Sequence, residues 1–267
     1  MIRFCFELRH LDEVSPWGGD HPKLHWFGLT EGWYWIEAGG HQLLRRSRRD
    51  LLHPYVDYYL ARLWEDVNVL SPQVLEPVPT DLQPFIASDC TLWARDPLEF
   101  IADGGEDEIA DINQHVADHP VVTASNWYGE HYLDFGYLQS PPELRLWRTV
   151  DADRDEITMD WWHDDESSFV AGQALQVKVP TAAYVSAVHA LDQELMTAMR
   201  QRIEELERRG GLPDVDVDLA GLRREHEDRA HWLARSLDRS PGTDWKEVRE
   251  GARLLLAGSS AGRRPTA

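Results

Sequence analysis

The feature that most constrains the fold of this chain is one apolar stripe near its C-terminus. Between Tyr184 and Leu206 large apolar residues recur every three or four positions, which is the period of one helical face. Thr181 can cap the start of such a helix, and Gly210 with Gly211 can end it. The stripe therefore predicts a long helix over 181–209.

Weaker helical patterns follow over 219–237 and 244–256, so we predict a C-terminal helical region over 180–257. The last ten residues, 258–267, are small, polar and basic. Segments of that composition at a chain end predict a disordered tail.

Strand patterns fall into two groups ahead of this helical region. The first group comprises 2–8, 24–29, 33–37 and 41–45, and the second comprises 132–138, 143–150, 156–163 and 174–179. The short gaps within each group, including the turn at 151–155, favour antiparallel pairing.

Helices are predicted between the strand groups. An amphipathic pattern predicts one over 53–67 that stops before Pro72, and an acidic one runs over 106–118 and ends at His119-Pro120. We therefore predict an α+β fold in which two strand groups build an antiparallel sheet, with a helical insertion at 53–118. Region 1–179 is strand-rich, and region 180–257 packs on it.

Composition indicates a folded, cytoplasmic protein. The chain has 267 residues, 42% hydrophobic, with 12 Trp, more aromatic surface than a disordered chain carries. Charged residues interrupt the first nine positions, and no apolar run is long enough to span a bilayer, so we expect neither a secretory signal nor a membrane anchor. Cys5 and Cys90 lack zinc-site or disulfide spacing and are expected to be buried and reduced.

The net charge of −20 is concentrated in the middle of the chain. Between Leu63 and Leu144 sixteen acids face one base, Arg95, and eight acids face one base over 151–166. Such a surface repels nucleic acid and attracts a basic protein. The predicted partner-binding residues are Glu99, Asp103, Glu106, Asp107, Glu108 and Asp111. The alternative is a solvated face that only confers solubility.

Arg45, Arg46, Arg48 and Arg49 form a local exception, four cations in five residues. The loop that carries them could hold a phosphate, or it could be a solvated connection or an internal partner for the acids.

Common catalytic motifs are absent from the sequence. No dinucleotide-binding, P-loop or kinase signature occurs. The segment 258–262 matches Gly-x-Ser-x-Gly, but no histidine follows it to complete a triad. His226 and His231 are five apart, whereas a zinc protease helix needs four, and His226 falls on an apolar stripe.

Two clusters remain as candidates for a divalent metal or for catalysis. His115 and His119 are four apart and would share a helical face, although Pro120 weakens this interpretation. His163, Asp164 and Asp165 follow a predicted strand and could bind a hard cation or tune a general base. The alternatives are a solvated helix end and a charged turn. No cofactor is predicted otherwise.

Trp17, Trp33 and Trp35 could line a groove for a sugar, peptide or aromatic ligand. Strand alternation places Trp33 and Trp35 on the same face. Core packing is the alternative use of these rings.

The segments Leu24–Ile36, Tyr132–Leu138 and Leu146–Arg148 resemble those of an uncharacterised family of actinobacterial cytoplasmic proteins, a domain of unknown function. The resemblance spans most of the chain. It implies no activity and no catalytic residues.

The leading hypothesis is a non-enzymatic interaction protein, similar in role to bacterial immunity or antitoxin proteins, that binds a basic partner through its acidic surface. A divalent-metal-dependent hydrolase and a small-molecule-binding protein are the alternatives.

Overall fold

The computed structural model describes residues 1–48, 53–90, 119–164 and 168–257, which form two antiparallel sheets and several helices. The strands are β1 (Ile2–Leu8), β2 (Glu31–Ala38), β3 (His41–Leu43), β4 (Val56–Tyr59), β5 (Tyr132–Leu133), β6 (Glu143–Val150), β7 (Asp155–Trp162) and β8 (Ala174–Pro180). The α-helices are α1 (Leu60–Leu75), α2 (Gln83–Ile86), α3 (Pro120–Gly129), α4 (Thr181–Arg209), α5 (Leu219–Arg229), α6 (Trp232–Leu237) and α7 (Trp245–Leu256). Short 3-10 turns occur at Leu11–Glu13, Gly28–Thr30 and Thr80–Leu82.

The α+β class is confirmed, and the strands form two separate four-stranded antiparallel sheets, β1 to β4 and β5 to β8. In the first sheet β2 pairs with β1 on one side and with β3 and β4 on the other. The second sheet is the expected antiparallel meander β5-β6-β7-β8. The sheets are joined where Arg46 bridges Phe169, next to a hydrogen bond of 2.8 Å from the Val170 amide to the Arg45 carbonyl.

The strand predicted over 24–29 is wrong. The Nδ1 atom of His25 accepts a hydrogen bond of 3.2 Å from the Gly28 amide, and the chain then enters the 3-10 turn Gly28–Thr30. A side chain that bonds nearby backbone in this way competes with a sheet ladder.

The strand predicted over 132–138 stops at Leu133. The Oδ1 atom of Asp134 accepts a hydrogen bond of 2.7 Å from the Gly136 amide, which closes an Asx turn. The turn begins the loop that connects β5 to β6.

The long helix α4 has the predicted bounds, and Gly210 ends it with a left-handed φ of 76°. The expected cap is wrong, because Pro180 occupies the N-cap position without a side-chain bond. The Thr181 hydroxyl instead donates to Asp155 Oδ1 at 2.6 Å and ties the start of α4 to β7.

The helix predicted over 53–67 is displaced, because α1 begins at Leu60 and runs through Pro72. A proline inside a helix removes the hydrogen bond to the carbonyl four residues earlier, here that of Asn68. The Ser236 hydroxyl donates to this carbonyl, so a residue from α6 restores the missing bond.

The helix predicted over 219–237 is two helices, α5 and α6. The His231 amide donates to the Asp228 carbonyl at 3.1 Å, a tight turn of the kind that ends helices, and the chain restarts at Trp232. The third predicted helix is confirmed as α7, which Asp244 caps through hydrogen bonds from two backbone amides.

Apolar side chains form two buried clusters. The larger cluster joins both sheets with α1, α4, α5 and α6, and the smaller joins α2, α3 and α7 with Trp147 of β6. Cys5 is buried, which raises the pKa of its thiol to about 11, whereas Cys90 is exposed, contrary to expectation. None of the helices in the described ranges has the length and apolar character that crossing a bilayer requires.

Candidate functional site

All six predicted partner-binding acids lie outside the described residues, and so does His115; the acids are Glu99, Asp103, Glu106, Asp107, Glu108 and Asp111. The role of these acids in binding stays a prediction.

The described acids of the second acidic segment, 151–166, are spread along β7 rather than clustered. Its members occupy both ends of β7, and eight strand residues at ~3.3 Å each separate those ends by about 25 Å. Three of the acids are also neutralised by arginines within the protein, in the pairs Asp151–Arg154, Asp155–Arg148 and Asp160–Arg145. Asp165 and Glu166 lie outside the described residues.

His119 does not lie on a helical face that continues from His115. Its backbone is extended, with ψ of 130°, and its Nδ1 atom accepts a hydrogen bond of 3.2 Å from the Val121 amide. His119 is therefore the N-cap of α3, and Pro120 takes the first helical position, where its missing N–H costs nothing. The sequence His119-Pro120 starts a helix.

The predicted groove tryptophans share the outer face of the first sheet, but neighbouring rings pack on them. Trp33 stacks on His53 at 4.5 Å between ring centroids, and Trp35 stacks on Tyr55 at 3.9 Å. Trp17 is 43% exposed, and its indole N–H donates to the Tyr59 hydroxyl at 2.8 Å. Trp33 and Trp35 are half-buried on the sheet surface and belong to neither buried cluster, so a role in ligand binding stays a prediction.

The arginine-rich loop is also engaged within the protein. Arg45 donates to the Gln42 side chain at 2.9 Å, and the guanidinium of Arg46 lies 4.7 Å from the centre of the Phe169 ring. Arg49 lies outside the described residues. The contact between Arg46 and Phe169 links the two sheets.

His163 follows β7 and is buried, with 2% of its surface exposed. Its Nε2 atom lies 3.1 Å from the carbonyl oxygen of Ala171, which can only accept, so Nε2 carries the proton. The Nδ1 atom then bears a lone pair, and it is buried without a hydrogen-bond partner. A buried lone pair of this kind is an unmet demand for a hydrogen-bond donor.

His163 lines a cleft of about 560 Å³ at the end of the second sheet. We call it the acidic–aromatic cleft. It is formed by the Asx turn after β5, the start of β6 and the end of β7. Its lining includes the carboxylates of Asp134, Glu143 and Asp164, the rings of Tyr132, Phe135 and Trp162, and Pro141, Pro142, Ser140 and Ser168. Among its described lining residues there is no lysine or arginine.

A polar network lies behind the cleft and reaches α1. Arg62 of α1 forms ion pairs with Asp134 at 2.6 Å and with Asp66 at 3.0 Å. Burial raises the pKa of Asp66 to about 7, against the opposing charge of Arg62 and with help from the negative charge of Asp134. The hydroxyls of Tyr34 and Tyr137 lie 2.6 Å apart, and burial raises the pKa of both phenols. The network fixes the turn that carries Asp134.

The buried cation Arg145 connects the second sheet to neighbouring elements. Arg145 of β6 is 2% exposed and donates to Asp160 at 2.7 Å and to the Ser88 carbonyl at 2.8 Å. Its guanidinium also lies 4.8 Å from the centre of the Tyr128 ring. With these partners Arg145 ties the second sheet to α3 and to the segment after α2.

The acidic–aromatic cleft suits an organic cation with N–H donors. Carboxylates can attract the charge and aromatic faces and edges can contact it, and His163 lines the cleft with its Nδ1 atom unpartnered. In the described ranges, no group of three or more His, Cys, Asp or Glu side chains is arranged to hold a metal ion.

The sequence singled out His163 and Asp164 as metal or catalytic candidates, and this role stays a prediction; it did not single out Asp134 or Glu143, which line the same cleft. One signal was available, since an aspartate two residues before a glycine, as in Asp134-Phe135-Gly136, is typical of a turn. The position of Glu143 on the cleft follows only from the packing of β6.

The fold and the cleft define an α+β protein with two antiparallel sheets and an acidic pocket at the end of the second. The chain belongs to a family of unknown function, DUF5984, whose signature matches residues 3–251. The resemblance of the three segments to an uncharacterised family is thereby confirmed. No curated protein matches the chain, and no solved structure matches it.

Proposed function

We propose that the protein is a non-catalytic binding module for a basic protein partner, and that the acidic–aromatic cleft receives a guanidinium group of that partner. The observation that carries this proposal is the composition of the cleft wall: three carboxylates, three aromatic rings and a histidine lone pair, without a lysine or arginine among the described lining residues.

A guanidinium can contact Glu143, Asp164 and the aromatic rings, whereas Asp134 is already ion-paired with Arg62. The planar array of N–H donors in a guanidinium forms charge-assisted hydrogen bonds to carboxylates and packs on aromatic rings. One further N–H can meet the Nδ1 lone pair of His163. The volume of about 560 Å³ lies in the range of pockets that hold small ligands or single side chains.

The overall charge supports the same partner. A net charge of −20 accelerates the encounter with a basic protein, and this acceleration is screened by salt. Asp164 is exposed at the cleft and forms no ion pair with another described residue, so it adds to the local negative potential.

We place this binding in the cytoplasm. Neither Cys5 nor Cys90 forms a disulfide, and reduced thiols suit a reducing compartment.

The test is calorimetric titration with a short peptide that carries one central arginine, compared with the same peptide carrying citrulline, its neutral isostere. We expect binding of the arginine peptide to weaken about tenfold or more in a Glu143→Gln, Asp164→Asn double variant, since charge-assisted contacts are lost. The control is Asp153→Asn, which removes an exposed acid from the turn at the far end of β7.

Equal binding of the arginine and citrulline peptides would contradict recognition of the charge. The cleft variant removes two charges and Asp153→Asn removes one, so a loss of binding free energy in the cleft variant only twice that in Asp153→Asn would contradict the location, because only the net charge would then matter.

A further inference from the structure

A second cavity, of about 450 Å³, lies between α1 and α6, away from the acidic–aromatic cleft in sequence and in lining residues. Asn68 and Val69 of α1 contribute one side, and Trp232, Arg235 and Arg239 contribute the other. We call it the α1–α6 cavity.

The polar side chain of Asn68 is the unusual feature of this cavity. Asn68 is 3% exposed, and its side-chain oxygen and nitrogen are both buried without a hydrogen-bond partner. Its backbone carbonyl, in contrast, receives the Ser236 hydroxyl. Burial of an amide without partners is costly, so a buried side chain of this kind in a cavity wall points to a missing ligand.

The other polar groups of the cavity wall already have partners within the protein. Trp232 donates to Asp228 at 2.8 Å, and Arg235 donates to the same carboxylate at 2.7 Å. Glu65 is paired with Arg229. Arg239 differs, because its exposed guanidinium forms no ion pair or hydrogen bond with any side chain in the described part of the chain.

The Asn68 amide and the Arg239 guanidinium, which have no side-chain partner in the described part of the chain, therefore define the chemistry of the ligand. A side-chain amide offers one donor edge and one acceptor, which match the acceptor and donor of another amide. A lone arginine at the rim matches a carboxylate. Val69, 73% exposed, supplies an apolar contact at the edge of the cavity.

We propose that the α1–α6 cavity binds an amide that lies next to a free carboxylate, the chemistry of an acylated amino acid and of a peptide C-terminus. Asn68 pairs with the amide, and Arg239 pairs with the carboxylate. This site is independent of the acidic–aromatic cleft.

The test uses N-acetyl-glycyl-valine with a free carboxylate and the same dipeptide with an amidated C-terminus, titrated by calorimetry. We expect saturable binding of the acid form and binding of the amidated form weaker by about tenfold, the loss of one ionic contact. The variant Arg239→Gln should reduce the acid form to the affinity of the amidated form and leave the latter unchanged.

Asn68→Leu separates binding from folding. Leucine has a similar volume and removes the unpaired amide, so we expect this variant to lose binding of both dipeptides while its Tm rises. Unchanged binding in Asn68→Leu, or failure of the acid form to saturate the wild-type protein at about 1 mM, would overturn the proposal.

A longer peptide with the same terminal residues identifies the source of the ligand. Equal affinity for the dipeptide and the longer peptide supports a small acylated amino acid, and tighter binding of the longer peptide supports the end of a protein chain.

Discussion

Asp66 shows how one ionisable residue behind the acidic–aromatic cleft affects stability. Burial raises the pKa of its carboxyl to about 7, from an ordinary value of 3.8. The folded protein therefore holds this proton over a pH range in which the unfolded chain has released it. Because the native state binds the additional proton, stability falls as the pH rises from about 4 to about 7.

An Asp66→Asn variant should lose this pH dependence. One proton limits the slope to ~1.4 kcal/mol per pH unit. We expect the free energy of unfolding of the variant, relative to wild type, to increase between pH 4 and pH 7 in urea denaturation series. A constant difference over that range would show that Asp66 ionises normally in the folded protein.

At the scale of elements, the contact between α3 and α7 is set by one glycine. A Cβ atom placed on Gly251 of α7 would lie 1.9 Å from the carbonyl oxygen of Pro120 and 2.7 Å from the Cβ atom of Ala124, both in α3. The two helices therefore approach more closely than any other residue at position 251 would allow.

Replacing Gly251 by alanine should separate these helices. We expect Gly251→Ala to lower the free energy of unfolding by roughly 1–3 kcal/mol, the range for overpacking a core. The matched control is Gly129→Ala in α3, where a Cβ would have no other atom within 4 Å, and its stability should stay close to wild type. Similar stabilities for both variants would show that the helices are not held in close contact.

Periodicity predicted most elements, but local hydrogen bonds decided where they end. The apolar stripe predicted α4 and Gly210 marked its C-terminal end, and alternation predicted β1 and β6. In contrast, α1 continues through Pro72. The hydroxyl of Ser236, which is far away in sequence, donates a hydrogen bond to the Asn68 carbonyl that the proline leaves without its helical partner. Such long-range compensation has no signature in a single sequence.

At the scale of the whole molecule, the acidic–aromatic cleft combines three separate stretches of chain. The second sheet places residues 132–136 and 140–143 next to residues 162–164. Sequence reasoning therefore identified the local cluster at His163 and Asp164 but could not know that Asp134 and Glu143 face it. Similarly, the sequence showed eight acids over 151–166, but not that arginines neutralise three of them.

The proposed function requires that Nδ1 of His163 accepts a hydrogen bond from a cationic ligand in the cleft. Nitrogen NMR of the histidine rings in ¹⁵N-labelled protein, with and without the arginine peptide, tests it directly. In the protein without peptide, we expect the His163 ring to carry its proton on Nε2 and none on Nδ1. Addition of the peptide should shift the Nδ1 resonance toward a hydrogen-bonded value. A proton on Nδ1 in the free protein, or an Nδ1 resonance unchanged at saturating peptide, would contradict it.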